Sequence, residues 1–339
     1  MKITRVIFRF CPILLVVFLL TMPGVTMAQI DPESEPDSGL NEREESTPEQ
    51  YPVLNGHRFF PTILIGSPFV QSTISSAIGG GRVGDLNYTI TNPVNDSTLS
   101  LRGDLGFLLV LLEFQHALDE FVALQFKTII IERIAAHEES ILSQGLTGEV
   151  GFELGIRVKI WETDRVYVAL SGAYASSTLV GVTPLDFLED VLDGGLESIG
   201  SNSLVRSENT DLFVFGSDVA FAPAPYLGII GHLRVGSADT PQDGDNNVPI
   251  ASLGFSAHLD FGSLINTPIG VTLGILTNSF SLGIDDLATR NTSLVYGLSY
   301  TGWKNYDFGL EVTSSRLRQI DEETIFTGQL ARIRMSFYY

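Results

Sequence analysis

The stretch TGEVGFELGIRVKIW (147–161) repeats with a period of two residues. Even positions from 150 to 160 read Val, Phe, Leu, Ile, Val and Ile, whereas odd positions from 149 to 159 read Glu, Gly, Glu, Gly, Arg and Lys. Successive side chains of a β-strand point to opposite faces, so this stretch predicts a strand with one apolar face and one charged or bare face. It is also longer than the roughly five or six residues that are usual for strands of soluble proteins.

Eleven further segments show the same alternation, for example ASLGFSAHLDF (251–261). We predict twelve strands, at roughly 68–79, 100–116, 120–131, 147–161, 165–177, 212–223, 226–238, 250–262, 268–280, 290–302, 305–315 and 324–339. The connections alternate in length, with short ones at 118–120, 162–164, 224–225, 263–267 and 303–305 and long ones between them. Long strands joined by tight turns on one side and long loops on the other are typical of transmembrane β-barrels.

A soluble β-sandwich or barrel would also alternate, with its apolar face turned inward. Strand length, the strict alternation of connection lengths, and a polar face rich in Gly, Ser, Ala and charge favour the membrane barrel. The predicted fold is therefore all-β: an antiparallel up-and-down transmembrane barrel with short helices in its long extracellular loops. An even number of strands places both ends of the barrel on the short-turn side.

The stretch ARIRMSFYY (331–339) alternates in the same way and ends on aromatic residues. It resembles the C-terminal signal strand of bacterial outer-membrane β-barrel proteins, although Tyr339 replaces the commoner terminal Phe. The resemblance implies that this strand closes the barrel against the first strand and that the insertion machinery reads Phe337 and Tyr339. Closure removes a sheet edge that lipid cannot solvate.

Residues 1–28 have the features of a cleaved signal peptide: a positively charged start, a short apolar run at 12–20, and small residues before position 29. Its removal takes away three positive charges and the only cysteine, Cys11, and changes the formal charge from −20 to −23. Residues 29–57 hold eight acidic residues and four prolines, which predicts a disordered periplasmic leader. The barrel is expected over 58–339, in the outer membrane of a Gram-negative bacterium.

The function expected from this organisation is a narrow, porin-like channel or transporter for small solutes. The alternatives are a non-transporting structural or surface-binding barrel and, with less support, an outer-membrane hydrolase. Acidic composition argues against a nucleic-acid partner, which leaves membrane lipid, the insertion machinery and a small solute. The inward-facing charged side chains are the predicted pore lining: Lys127, Glu149, Glu153, Arg157, Lys159, His232, Arg234, His258, Asp260, Glu311, Arg332 and Arg334. They either line an open path or pair with one another and obstruct a narrow barrel.

Two helices are predicted in long loops. The stretch TPLDFLEDVLDGG (183–195) has Thr183 as N-cap and Pro184 at the first helical position, and its helix, centred on 184–193, would either narrow the lumen or lie outside as a lid. A second helix is predicted through 131–145.

No motif indicates a cofactor or a metal site, and the chain is more consistent with a non-enzyme. The residues Ser256, His258 and Asp260 imitate a hydrolase triad within one strand. Because inward residues two apart are about 6.6 Å apart, we expect no Ser–His hydrogen bond there.

Overall fold

Twelve antiparallel strands pair in chain order and close into a barrel in the computed structural model, which describes residues 51–91, 98–135, 146–182, 205–239, 247–281, 288–319 and 325–339. The barrel strands are β3 (Thr73–Thr91), β4 (Thr98–Ala117), β5 (Val122–Ala135), β6 (Leu146–Glu162), β7 (Val166–Val182), β8 (Val205–Ala224), β9 (Leu227–Asp239), β10 (Asn247–Asp260), β11 (Ile269–Ser281), β12 (Ala288–Tyr300), β13 (Tyr306–Gln319) and β14 (Ile325–Tyr338). Strand β14 pairs with β3 from Tyr338↔Thr73 to Thr327↔Gly84 and closes the sheet. The predicted twelve-strand barrel is confirmed, and so is the closing position of the C-terminal strand.

The strands reach further toward the long-connection side than the alternation of apolar residues indicates. Residues 80 and 81, predicted to lie in the long connection after the strand at 68–79, lie inside β3, and residues 131–135 belong to β5 rather than to a helix. Backbone pairing continues beyond the apolar belt into segments whose residues are mostly polar on both faces, so the alternation of apolar and polar residues is no longer visible there. The remainder of that predicted helix and the whole of the helix at 183–195 lie outside the described residues.

The outer face of the barrel is apolar and exposed. In β8, for example, Phe213 is 58% and Phe215 is 69% exposed, whereas the intervening Val214 is 7% exposed. Aromatic side chains of Phe114, Trp161, Tyr226 and Trp303 are exposed close to short turns, where amphipathic rings sit in membrane barrels. Within the described ranges, no helix is both long enough and apolar enough to cross a membrane.

The short connection between β10 and β11 contains a helix, α1 (Phe261–Ile265), which the sequence did not predict. Asp260 is its N-cap: the carboxylate accepts hydrogen bonds from the Gly262 amide, at 2.9 Å, and from the Ser263 hydroxyl, at 3.3 Å. Asn266 ends the helix in the left-handed conformation, which Asn tolerates better than most residues.

Residues 51–72 precede the barrel and fold inside its short-turn end; we call this segment the plug. It begins with a hairpin of two short strands, β1 (Val53–Leu54) and β2 (His57–Arg58). Asn55 and Gly56 form the turn, both at positive φ, a conformation that suits Asn and Gly. Residues 53–57, which composition placed in the leader, form part of this hairpin, and residues 68–72, predicted to begin the first strand, precede β3 and belong to the plug.

Candidate functional site: a plugged lumen

The plug carries an apolar core of its own into the lumen. Leu54, Phe59, Ile65 and Phe69 are at most 5% exposed and pack against small or apolar side chains of the barrel wall: Tyr167, Ala169, Ala220, Ala222 and Ile230. Full burial of a side chain as large as Phe contributes about 1.5–3 kcal/mol. The plug is thus joined to the wall by buried apolar contacts.

The barrel wall is shaped to receive the plug. A Cβ atom built at Gly228 would lie 2.3 Å from the His57 ring and 2.6 Å from the Phe59 ring, and one at Gly270 would lie 2.4 Å from the Phe60 ring. Atoms cannot approach this closely without a shift. Glycine at these two inward positions therefore makes room for plug side chains.

Hydrogen bonds fix the plug to the wall around the barrel. The Arg58 guanidinium donates to the backbone carbonyls of Thr301, Trp303 and Tyr306, next to the turn between β12 and β13. On β4, three strands further around the barrel from β13, the Gln115 amide donates to the carbonyls of Phe69 and Gln71, at 2.7 and 2.9 Å. The Gln115 bonds give partners to plug carbonyls that are covered by the wall.

Two buried ionic clusters lie on the inner wall. In one, the Arg332 Nε atom donates to Glu311 at 2.8 Å, while Arg334 binds Asp307 and approaches Glu311 at 3.5 Å. The same Glu311 carboxylate accepts a 3.3 Å hydrogen bond from the backbone amide of Ile63 in the plug. This cluster therefore links the closing strand, its neighbour and the plug.

The second cluster lies across β6, β8 and β9. Asp218 is 2.5 Å from the His232 Nδ1 atom and 3.6 Å from the Arg157 guanidinium, and Arg157 also donates to Gln115 at 2.9 Å. All four side chains are nearly inaccessible. Charges buried in this way require partners, so this part of the wall is fixed rather than free to contact solutes.

The structure places the predicted pore-lining residues on the inward face but gives them different surroundings. Arg157, His232, Glu311, Arg332 and Arg334 are in the two buried clusters. His258 lies under the rings of Phe59 and Phe60, and Asp260 caps α1. Glu149, Glu153, Arg234 and Lys127 are only partly covered and lie nearer to the open lumen. Glu149 pairs with Arg133, which was not predicted, at 2.6 Å, and Arg234 lies 3.7 Å from Glu153. Lys159 lies near the turn and pairs with Glu162 at 2.9 Å.

The expectation of no Ser–His contact in β10 was wrong. The Ser256 Oγ atom is 2.8 Å from the His258 Nε2 atom, because side chains two apart on one face can lean toward each other although their backbones are further apart. The third member of a triad is not in place, since the Asp260 carboxylate is turned toward α1 and His258 Nδ1 is 3.5 Å from Thr272. Both Ser256 and His258 are also buried beneath the plug.

The sequence reading missed the plug, whose signal is the apolar run FFPTILIGSPF (59–69) directly after the acidic leader. It also missed Asp218 and Asp307, which the same period-two rule would have placed on the inward face. Gln115 was overlooked because an uncharged amide gave no reason to single it out.

Comparisons with known proteins agree on the fold. No family model matches the sequence, and no curated protein matches it. Among solved structures, an outer-membrane channel from Pseudomonas putida F1 superposes with a TM-score of 0.50 at 10% identity, covering 83% of this chain and 100% of that chain. The fold is that of bacterial outer-membrane β-barrels.

Two further outer-membrane barrels are similar at lower scores. The β domain of the Bordetella autotransporter BrkA has a TM-score of 0.47 at 7% identity, over 79% of this chain and all of that chain. The NanC porin has a TM-score of 0.44 at 11% identity, over 78% of this chain and all of that chain. In barrels of this fold the exposed apolar belt faces lipid.

Proposed function

We propose that the protein is a narrow outer-membrane channel for small solutes, closed at its short-turn end by the plug. The observation that carries the proposal is the division of the lumen. The plug fills the short-turn end, whereas Arg133, Glu149, Glu153, Arg234 and Lys127 lie further in and are only partly covered. A mixed set of accessible charges inside a barrel is suited to selecting polar solutes.

Passage in this proposal requires the plug to shift. The plug is a single segment joined to β3 at residue 73, so it can move without breaking the barrel ladder. The plug is attached to the wall by the packing of the Phe59 and Phe60 rings and by the hydrogen bonds of Arg58 and Gln115 described above. The closed form is the resting state, and opening corresponds to release of these contacts.

One observation favours a second candidate, a non-transporting barrel. Phe59 and Phe60 are each 1% exposed, a degree of burial typical of permanent cores. If the plug never leaves, the barrel serves as a rigid outer-membrane support for its long connections. The two functions differ in whether current or solute flux depends on plug movement.

A disulfide that locks the plug distinguishes these functions. A Cβ atom at Gly56 would lie 3.6 Å from the Pro225 Cβ atom, within the range of about 3.5–4.5 Å for disulfide-bonded cysteines. The chain contains one cysteine, Cys11, in the predicted signal peptide, so Gly56→Cys with Pro225→Cys introduces a defined pair. A non-glycine residue at the positive φ of position 56 costs about 1–2 kcal/mol, and the two single variants control for that strain.

Planar-bilayer conductance is then recorded before and after reduction. We expect the oxidised double variant to be silent and the reduced one to conduct like the single variants. Equal conductance in both states would show that solutes pass without movement of the hairpin. Absence of current from a plug-deleted barrel with native heat-modifiable gel mobility would end the channel proposal and favour the support function.

We also propose the location and processing that the sequence indicates: cleavage after Ala28, an outer-membrane position, and recognition of β14 by the insertion machinery. The exposed apolar belt and the aromatic end of β14 support this. Mass spectrometry of the mature N-terminus and membrane fractionation test it. A soluble protein, or an intact N-terminus, would contradict the corresponding part.

A further inference from the structure

Two small cavities lie between the plug and the barrel wall. The first is enclosed by the plug and the inward faces of β14, β3 and β4, and about 30 Å³ of it is open to the centres of water molecules. The second lies between plug residues 63–66 and the inward faces of β4, β5, β6 and β9, with about 50 Å³ open in the same sense. Since one water molecule requires about 10–15 Å³ of such volume, the cavities have room for about two and about four waters.

The two cavities adjoin each other at the plug. Ile63, Gly66 and Glu113 border both of them, and a Cβ atom built at Gly66 would have no other atom within 4 Å. Glu113 is half-buried, and among the described residues it has no opposite charge within 4.0 Å. A carboxylate in this position needs solvation, so water at the junction of the cavities is its partner.

The first cavity is lined by groups that bind water. Three of its polar side-chain atoms, Gln71 Oε1, Thr73 Oγ1 and Arg334 Nε, are buried and have no hydrogen-bond partner among the described protein atoms. Buried polar groups in proteins nearly always bond to another protein group or to ordered water. Because the cavity has room for about two waters, these atoms are suited to holding water there.

Together the cavities form a crevice that runs beside the plug. At its lumen end the second cavity reaches Lys127, Glu153 and Arg234, which are only partly covered. At its other end the first cavity reaches Gln71 and Tyr338, and Tyr338 is in the last paired row of β14 and β3 at the short-turn end. The half-buried Gln71 side chain donates one long bond, of 3.3 Å, to the Ser67 hydroxyl, which it can exchange for bonds to water.

We propose that this crevice conducts water past the closed plug. Water passes from the charged lumen along Glu113 and Gly66 to the hydroxyls of Ser75 and Ser336, and leaves beside Gln71. A path only a few water molecules in size excludes hydrated ions and organic solutes, so the closed barrel is permeable to water and not to salt. The inference goes beyond the proposed channel and does not depend on it, because water passes whether or not the plug ever moves.

Osmotic shrinkage of vesicles that contain the locked protein tests this proposal. The oxidised Gly56→Cys, Pro225→Cys protein is reconstituted into lipid vesicles, which are mixed with hyperosmotic sucrose and followed by stopped-flow light scattering. We expect these vesicles to shrink faster than protein-free vesicles, in proportion to the amount of protein. The same locked protein should pass no salt current in a planar bilayer.

A substitution in the first cavity tests the path. The Ser75 hydroxyl donates to Ser336 Oγ at 2.9 Å, and Ser75→Leu in the locked protein replaces this polar contact by an apolar side chain. Because apolar constrictions exclude water, we expect the protein-dependent rate of shrinkage to fall about tenfold. Ser336→Leu, on the other side of the same cavity, should reproduce the loss.

The matched control is Ser293→Leu. Ser293 is 2.8 Å from Ser315 in a similar cross-strand pair of hydroxyls, but neither residue borders the crevice. This variant should leave the rate unchanged. Heat-modifiable gel mobility verifies that each variant is folded.

The outcomes separate the crevice from the channel. A locked protein that adds no water permeability would overturn the crevice without any variant, and so would a rate that both folded cavity variants leave unchanged. Salt current through the locked protein that Ser75→Leu abolishes would overturn its selectivity for water. Water flux with salt current only after reduction supports both proposals, whereas water flux without current in either state supports the crevice and removes the channel.

Discussion

Replacement of Gly270 by Ala is expected to dislodge the plug. The new Cβ atom would lie 2.4, 2.6 and 2.8 Å from three carbon atoms of the Phe60 ring. Phe60 is 1% exposed and packs against His57 and His258, and its carbonyl accepts a 3.3 Å hydrogen bond from Thr272. The ring has no free space into which it can withdraw while the plug stays in place.

The magnitude follows from the burial of Phe60. Loss of a buried Phe side chain from its site costs about 1.5–3 kcal/mol, and overpacking of a well-packed core costs about 1–3 kcal/mol. A destabilisation of about 2 kcal/mol corresponds to an increase of roughly 30-fold in the population of the open plug. The barrel ladder is unaffected, because Gly270 lies at the end of its pairing with β10.

Limited trypsin digestion reports this population. Arg58 is the cleavage site inside the plug, and in the closed form its side chain is held by the carbonyls of the β12–β13 turn. When opening is faster than cleavage, the cleavage rate follows the open population. Mass spectrometry of the product that begins at Phe59 should therefore show a rate about 30-fold above that of the unmodified protein.

Two controls make the result specific to the Phe60 contact. Gly148→Ala adds the same methyl group where no atom lies within 4 Å, and it should leave the rate unchanged. In a Phe60→Ala background, Gly270→Ala should have little further effect, since the clash is gone. A Gly270→Ala protein that is cleaved after Arg58 no faster than the unmodified protein would refute the close fit of plug and wall.

Three further outcomes are expected. Glu311→Gln leaves the Arg332 guanidinium buried beside a neutral amide, so the barrel should lose about 3–5 kcal/mol and show its gel-mobility shift at a lower temperature; an unchanged transition would contradict the pairing. Changing Phe337 and Tyr339 to Asp removes the aromatic end of β14 and places charges toward lipid near the interface, at a cost of at most about 1 kcal/mol for each charge. Loss of the strand's aromatic signal should then remove the folded protein from the membrane fraction; normal levels would disprove the role of this strand in assembly. Burial lowers the pKa of His57 from 6.5 to about 4, against the opposing effects of the Pro225 carbonyl and Asp260. The closed plug is therefore most stable above pH 6.5, and its stability falls as the pH falls toward 4. Conductance should rise as the pH is lowered over that range. An identical conductance–pH profile in the His57→Gln variant would show that this histidine does not cause the pH dependence.

The barrel could be predicted because its signals are local. Alternation is visible within one strand, as in β6, and the difference between a three-residue turn at 163–165 and a long connection needs no knowledge of distant residues. The ends of the strands could not be predicted in the same way. At residues 79–81 three glycines resemble a loop, but the pairing of β3 with both β4 and β14 keeps them in the sheet.

The contacts of the plug with the wall and the ion pairs could not be predicted, although the apolar run 59–69 is visible in the sequence, because these contacts join residues that are far apart in the chain. Phe60 and Gly270 are separated by most of the barrel, and only the closed fold brings the ring to the bare backbone. The two-residue alternation along each strand placed Glu311 and Arg332 on the inner face, but their pairing depends on the register between β13 and β14. Alternation identifies the face of a side chain and not its partner.

The position of the plug at the start of the barrel has a consequence for the order of assembly. Tyr51 packs edge-on against Tyr338 with ring centroids 4.8 Å apart, and the Tyr339 amide donates to the Ser72 carbonyl at 3.2 Å. Both ends of the plug thus contact the last residues of the chain, where β14 closes the barrel on β3. We expect the plug to act as an internal template during assembly: the sheet forms around it, and β14 is added last against it.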